Sequence, residues 1–132
     1  MIKSNIKTII CTSLVIVILS FAVAMAVSGT YTVNLPPLKG DVVAMSGSKT
    51  TSDDYVSNRV DSIGGDYDAA DFWVVRSDGT RISDNYTCYE GQGTYRINFN
   101  TNENSGTFIK LYTQNNAITA VNVTMKGYAD LR

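Results

Sequence analysis

The sequence predicts an all-β protein: a small antiparallel β-sandwich of about eight strands that follows an N-terminal signal helix. Three observations lead there. Helical spacing of apolar residues is absent after residue 27. Short runs rich in Val, Ile, Thr, Tyr and Phe recur instead between clusters of Gly, Asn, Asp and Ser, which is the pattern of half-buried strands joined by turns. The only long apolar stretch lies at the start of the chain, apart from this alternating region.

That stretch has the layout of an export signal. Lys3 and Lys7 precede an apolar core running through Leu14 to Leu19, and Ala24-Met25-Ala26 supplies the small residues that a signal peptidase requires. Cleavage is expected before Val27, with Ala22-Val23-Ala24 as the neighbouring alternative. The alternative of a retained membrane helix is weakened by Thr12, Ser13 and Ser20 within the stretch, and by Ser28-Gly29-Thr30 where Lys or Arg would stop transfer. The expected organisation is therefore residues 1–26 as signal peptide and 27–132 as one secreted β-sandwich domain. A membrane would be met only through an uncleaved signal segment.

The strands follow in order. Tyr31 to Leu35 ends at Pro36-Pro37, because proline cannot donate to a ladder and restricts the residue before it. Asp41 to Met45 and Tyr55 to Ile63 flank a long Ser/Thr/Asp-rich loop, Ser46 to Asp54. Phe72 to Arg76 is apolar on both faces, which places it centrally or leaves one face for a partner. Thr80 to Ser83 follows, continuing towards Tyr89, and then Tyr95 to Phe99, Thr107 to Thr113 and Ile118 to Lys126. Alternation directs Tyr95, Ile97 and Phe99 to one side, and Val121, Val123 and Met125 likewise. The turns at Asp78-Gly79, Glu90 to Gly93, Asn100 to Gly106 and Gln114 to Asn116 read as successive hairpins.

One turn permits a sharper expectation. A two-residue turn at Asp78-Gly79 would set Arg76 directly opposite Arg81, a cross-strand pair of like charge. A three-residue loop, Ser77-Asp78-Gly79, with Gly79 left-handed in a bulge, pairs Arg76 with Thr80 and Arg81 with Val75 instead. The bulged loop is predicted. If the two arginines did lie side by side without an acid, they would form a site for an anionic ligand such as a wall phosphate or carboxylate.

Composition excludes several chemistries. Residues 27–132 carry nine basic and twelve acidic residues, a formal charge of −3 without a basic cluster, so no footprint for nucleic acid exists. The chain has no His, which removes a His base and the usual Zn, Cu and non-haem Fe sites. Cys88 has no partner cysteine after residue 27 and no His to activate it, so it is read as a small buried hydrophobe. No cofactor is implied. Asp66, Asp68 and Asp71 are a calcium candidate: their alternation in a Gly-containing loop suits oxygen ligation, but Ala70 stands where a further ligand belongs and no Glu follows. Gly91-Gln92-Gly93-Thr94 lacks the helix that would hold a phosphate. Phe108 and Tyr112 share a strand face opposite Ile109 and Leu111, a candidate stacking surface if the rings are exposed and ordinary cross-strand packing if not. The candidate ligand-binding residues are thus Arg76, Arg81, Phe108 and Tyr112.

The succession Phe72-Trp73-Val74-Val75, Ser77-Asp78-Gly79-Thr80, Ile82-Ser83, Gly91-Gln92-Gly93, Gly106-Thr107, Lys110-Leu111 and Val123 to Gly127 resembles a group of small exported Firmicutes proteins. That group is known as a domain of unknown function, number 2712. The resemblance spans about Phe72 to Gly127 and implies a secreted bacterial β domain, with no catalytic residues to transfer. The lactococcin-972-like bacteriocins are a second comparison, but their His-rich and Trp-Gly motifs have no match here.

The expected function is that of a secreted, non-enzymatic Gram-positive protein acting by surface interaction with cell-wall polymer, a protein partner or itself. A bacteriocin-like antimicrobial protein is the first alternative, and a small secreted hydrolase with two buried acids facing a cleft is the second. Terminal sequencing tests the first step: protein collected from the medium is expected to begin at Val27, or at Met25 for the alternative site. An intact Met1 found solely in washed membranes would show an uncleaved anchor instead.

Overall fold

The computed structural model describes residues 27–132, so the predicted export signal, Met1 to Ala26, lies outside the described residues. Eight strands form: β1 (Ser28–Leu35), β2 (Val42–Ser48), β3 (Tyr55–Ile63), β4 (Ala69–Arg76), β5 (Tyr86–Tyr89), β6 (Thr94–Asn98), β7 (Phe108–Asn115) and β8 (Val123–Asp130). They build two four-stranded antiparallel sheets, ordered β1-β8-β3-β6 and β2-β7-β4-β5. The fold is all-β, and no helix occurs among the described residues.

Alternation places the core between the sheets. Tyr31 and Leu35 of β1, Val56 and Val60 of β3, and Val123 and Met125 of β8 face Phe72 and Val74 of β4 and Ile109 and Leu111 of β7. β4 is the central strand that its two apolar faces suggest, paired with β5 on one side and β7 on the other.

The connections correct the hairpin reading. Among the described residues only β4 and β5 are consecutive strands paired with each other, and every other connection passes from one sheet to the opposite one. Turn residues specify a reversal of the chain, and crossing about 10 Å to a facing sheet satisfies that as well as returning alongside. Two strand assignments also change. The segment Thr80 to Ser83 makes only the isolated bridges Val75↔Arg81 and Ser83↔Phe99, and regular pairing resumes at Tyr86. The last strand is Val123–Asp130 and not Ile118 to Lys126, so Val121 leaves the apolar face and stands in a loop.

That shift has a local cause. β8 continues its inward alternation through Met125, Gly127 and Ala129, and Gly127 interrupts the apolar pattern because the space beside it is taken. A Cβ at residue 127 would meet both the Tyr31 hydroxyl and the Arg59 carbonyl. Tyr31, paired with Gly127, passes over it from β1 to β3, where its hydroxyl donates to Asn58 Oδ1 (2.9 Å). Asn58 Nδ2 in turn donates to Cys88 Sγ (3.7 Å) on the facing sheet. Burial raises the pKa of both terminal groups, pushing the Cys88 thiol up to about 11 and the Tyr31 phenol well above its usual range.

Gly127→Ala is therefore expected to cost about 3 kcal/mol in urea unfolding, since backbone lies on one side of the new methyl and a hydrogen-bonded ring on the other. A loss under about 1 kcal/mol would show that β8 moves aside at little cost.

Candidate functional site

The sandwich has two unlike ends. One gathers the β2–β3 loop, the β4–β5 turn, the β6–β7 loop and the chain end at Arg132, and it is closed by polar contacts. Lys49, fully buried, donates from Nζ to the carbonyls of Asp53 (2.5 Å) and Arg132 (3.3 Å) and lies 5.1 Å from the centre of the Phe99 ring. Desolvation lowers its pKa. Arg132 Nε donates to Asp53 Oδ2 (3.0 Å), and Glu103 N donates to Asp54 Oδ1 (2.8 Å).

Arg76 belongs to this closed end. Its Nε and Nη2 donate to Glu103 Oε1 at 2.8 and 2.5 Å, and Thr101 Oγ1 donates to the same oxygen (2.7 Å). The β4–β5 turn has the predicted bulged form. Arg76 N donates to Thr80 O (2.8 Å), Gly79 N donates to Arg76 O (3.0 Å), Val75 faces Arg81, and Gly79 has φ +88°. The two arginines are therefore separated, and Arg76 already holds an internal anion.

Arg81 lies on the outer face of the β2-β7-β4-β5 sheet. Its guanidinium stands 5.1 Å from the centre of the Trp73 ring, donates from Nε to Ser83 O (3.0 Å) and bonds Asn85 Oδ1 through Nη2. Tyr112 covers the other side of Trp73, with ring centres 5.8 Å apart and planes 13° from parallel. Phe108 projects from the same face of β7 and is 39% exposed. Of the four sequence candidates, Arg81 and Tyr112 thus meet across Trp73, Phe108 shares their face, and Arg76 is drawn away. The upright rings cover the sheet like a cross-strand ladder, which is why the second apolar face of β4 is closed within the chain.

The three aspartates of the calcium candidate do not gather. Among the described residues no group of three acidic or sulfur ligands comes together. Asp66 and Asp68 stay in the β3–β4 loop, whereas Asp71 enters β4, where its Oδ1 accepts from Thr87 Oγ1 (2.8 Å) and Asn116 Nδ2 (3.0 Å). Strand pleating at Ala69 to Asp71 turns that carboxylate onto the outer sheet face.

The opposite end of the sandwich gathers the β1–β2, β3–β4, β5–β6 and β7–β8 loops and is open. Leu38, Ile118 and Val121 are 75, 73 and 62% exposed there, the three most exposed large apolar side chains among the described residues. Leu38 N donates to Thr119 O (2.9 Å), which holds the two loops that carry them together. Leu38 and Lys39 both adopt φ 57°, a left-handed conformation costly for side chains with a Cβ. Next to Ile118 runs a shallow cleft of about 180 Å³ lined by Asp66, Tyr67, Asp68, Ala69, Asn115, Asn116 and Ala117. Asn115 is fully buried, its Oδ1 accepts from Ala117 N (2.9 Å), and its Nδ2 has no partner.

Sequence reasoning missed this end. Ile118 and Val121 look like strand residues by composition, and the signal for Leu38 was a large aliphatic residue inside a Pro-Pro-Leu-Lys-Gly turn, where polar residues are the rule.

The closed end generates a pH dependence. Hydrogen bonding from Arg76 holds the Glu103 carboxyl below the usual carboxylate range. Its contribution to stability is thus fully present above the unfolded-state pKa of about 4.3 and is lost as pH falls through the lower folded value. Urea midpoints taken from pH 6 downward are expected to fall less steeply for Glu103→Gln than for the parent; parallel profiles would show the pair contributes nothing. Comparison with protein-family models, with curated proteins and with solved structures found no match for this chain.

Proposed function

We propose that this chain is an exported, non-enzymatic binding protein that engages a protein surface at the open loop end of its sandwich. One observation carries the reading: Leu38, Ile118 and Val121 stand exposed side by side on two loops tied by the Leu38–Thr119 hydrogen bond. Aliphatic side chains kept in water at adjacent loop tips cost solvation free energy that is recovered on burial against another surface. Glycans favour flat aromatic platforms, and here the rings of Trp73 and Tyr112 are spent on each other.

The buried acids support a non-enzymatic role. They are Asp71 and Glu103, each occupied by hydrogen bonds or an ion pair, and neither lines the cleft. A hydrolase of the paired-carboxylate type needs both acids facing the substrate.

The test compares the parent with a Leu38→Ser/Ile118→Ser/Val121→Ser variant for binding to Gram-positive wall sacculi, before and after the sacculi are stripped with protease. The parent is expected to bind unstripped sacculi and lose most of that binding on stripping. The variant is expected to bind neither, with a thermal midpoint close to the parent's because the positions are exposed. Equal binding by the variant would remove the loop end as the binding surface, and undiminished binding to stripped sacculi would make the wall polymer the partner.

A further inference from the structure

The cleft beside the apolar tips has its own chemistry. Asp66 and Asp68 are exposed, and neither takes part in any of the ion pairs among the described residues. Tyr67 lies between them in sequence, partly buried against the core, and offers an aromatic wall. Asn115 adds a buried amide whose Nδ2 has no acceptor in the chain. Two unpaired carboxylates, a ring and an unmet donor thus line one small concavity, and the exposed aliphatic tips begin at the very next residue, Ile118.

We infer that the loop end takes a peptide segment in which a Lys or Arg residue is flanked by aliphatic ones, with the basic side chain entering the cleft at Asp66 and Asp68. This rests on the protein-binding reading above and names the chemistry of the partner. A long basic side chain suits such a cleft because its methylene stem packs on the Tyr67 ring while its head reaches the carboxylates. Asn115 lies in the wall of the same cleft, so its side-chain amide reports occupancy, and the neighbouring aliphatic side chains of the peptide cover Leu38, Ile118 and Val121. Charge complementarity sets the sign: an acidic segment would bring like charges together at the cleft.

The experiment titrates purified protein with an acetylated, amidated Leu-Lys-Leu-Lys-Leu peptide, following affinity by calorimetry and the side-chain amide of Asn115 by NMR. Parallel titrations use Leu-Glu-Leu-Glu-Leu, an N-acetylglucosamine tetramer and phosphatidylglycerol vesicles. The Leu-Lys peptide is expected to bind, to move the Asn115 amide, and to weaken as salt rises. Asp66→Asn/Asp68→Asn is expected to weaken it about tenfold at unchanged thermal midpoint, both positions being exposed. Binding without salt dependence on the parent itself, equal binding of the Leu-Glu peptide, or an unaffected Asn/Asn variant would overturn the inference. So would a response of the Asn115 amide to the sugar or the vesicles alone. If the Leu38→Ser/Ile118→Ser/Val121→Ser variant loses the peptide while the Asn/Asn variant keeps it, the protein-binding reading stands and the basic-segment inference falls.

Discussion

Two sheets can face each other in many registers, and a core of Val, Ile and Leu alone discriminates among them weakly. In this protein a string of polar contacts through the core selects one. The Tyr31 hydroxyl reaches Asn58 across Gly127, and Asn58 reaches Cys88 on the facing sheet. Each member is buried, so a sliding of either sheet would leave a phenol, an amide or both without partners in an apolar interior. The absent side chain at residue 127 is what allows the ring to lie flat over β8, and so the whole string depends on one glycine.

With the middle fixed, the ends take different roles. At the closed end the cations Lys49, Arg76 and Arg132 and the acids Asp53, Asp54 and Glu103 are tied into hydrogen bonds, several to backbone groups of loops that would otherwise lack partners. Lys49 and Glu103 are the buried members, and removing a partner of either leaves a buried charge short of hydrogen bonds, which stiffens this end. The open end has no comparable network. Its loops are joined by backbone hydrogen bonds such as Leu38 N to Thr119 O and Glu90 N to Asp68 O, its acids Asp66 and Asp68 stay out of the ion pairs among the described residues, and its aliphatic residues face water. On the proposed reading, this is the end that meets a partner.

The outer sheet face shows how the same residue types serve structure. Trp73, Tyr112 and Arg81 have the composition of a stacking surface, yet each ring or guanidinium covers the next. Stacking between neighbours at 5.8 Å removes ring faces from solvent, and the apolar second face of β4 is thereby satisfied without a partner.

The sequence by itself determined the strand class, most strand positions, the burial of Cys88 and the bulged turn at Ser77 to Gly79, because alternation, turn chemistry and the repulsion of Arg76 and Arg81 all act over a few neighbouring residues. β3, for instance, runs from Tyr55 to Ile63 as its pattern requires. Tertiary structure decided what depends on residues distant in the chain. Arg76 is neutralised by Glu103, 27 residues away, and no local rule singles out that acid among twelve. Gly127 reads as a strand breaker until Tyr31 is seen lying over it. Leu38 and Ile118 become one surface only because strands from opposite sheets deliver their loops to the same end, and the choice of sheet after each reversal is set by which partners complete the core, which turn residues do not encode.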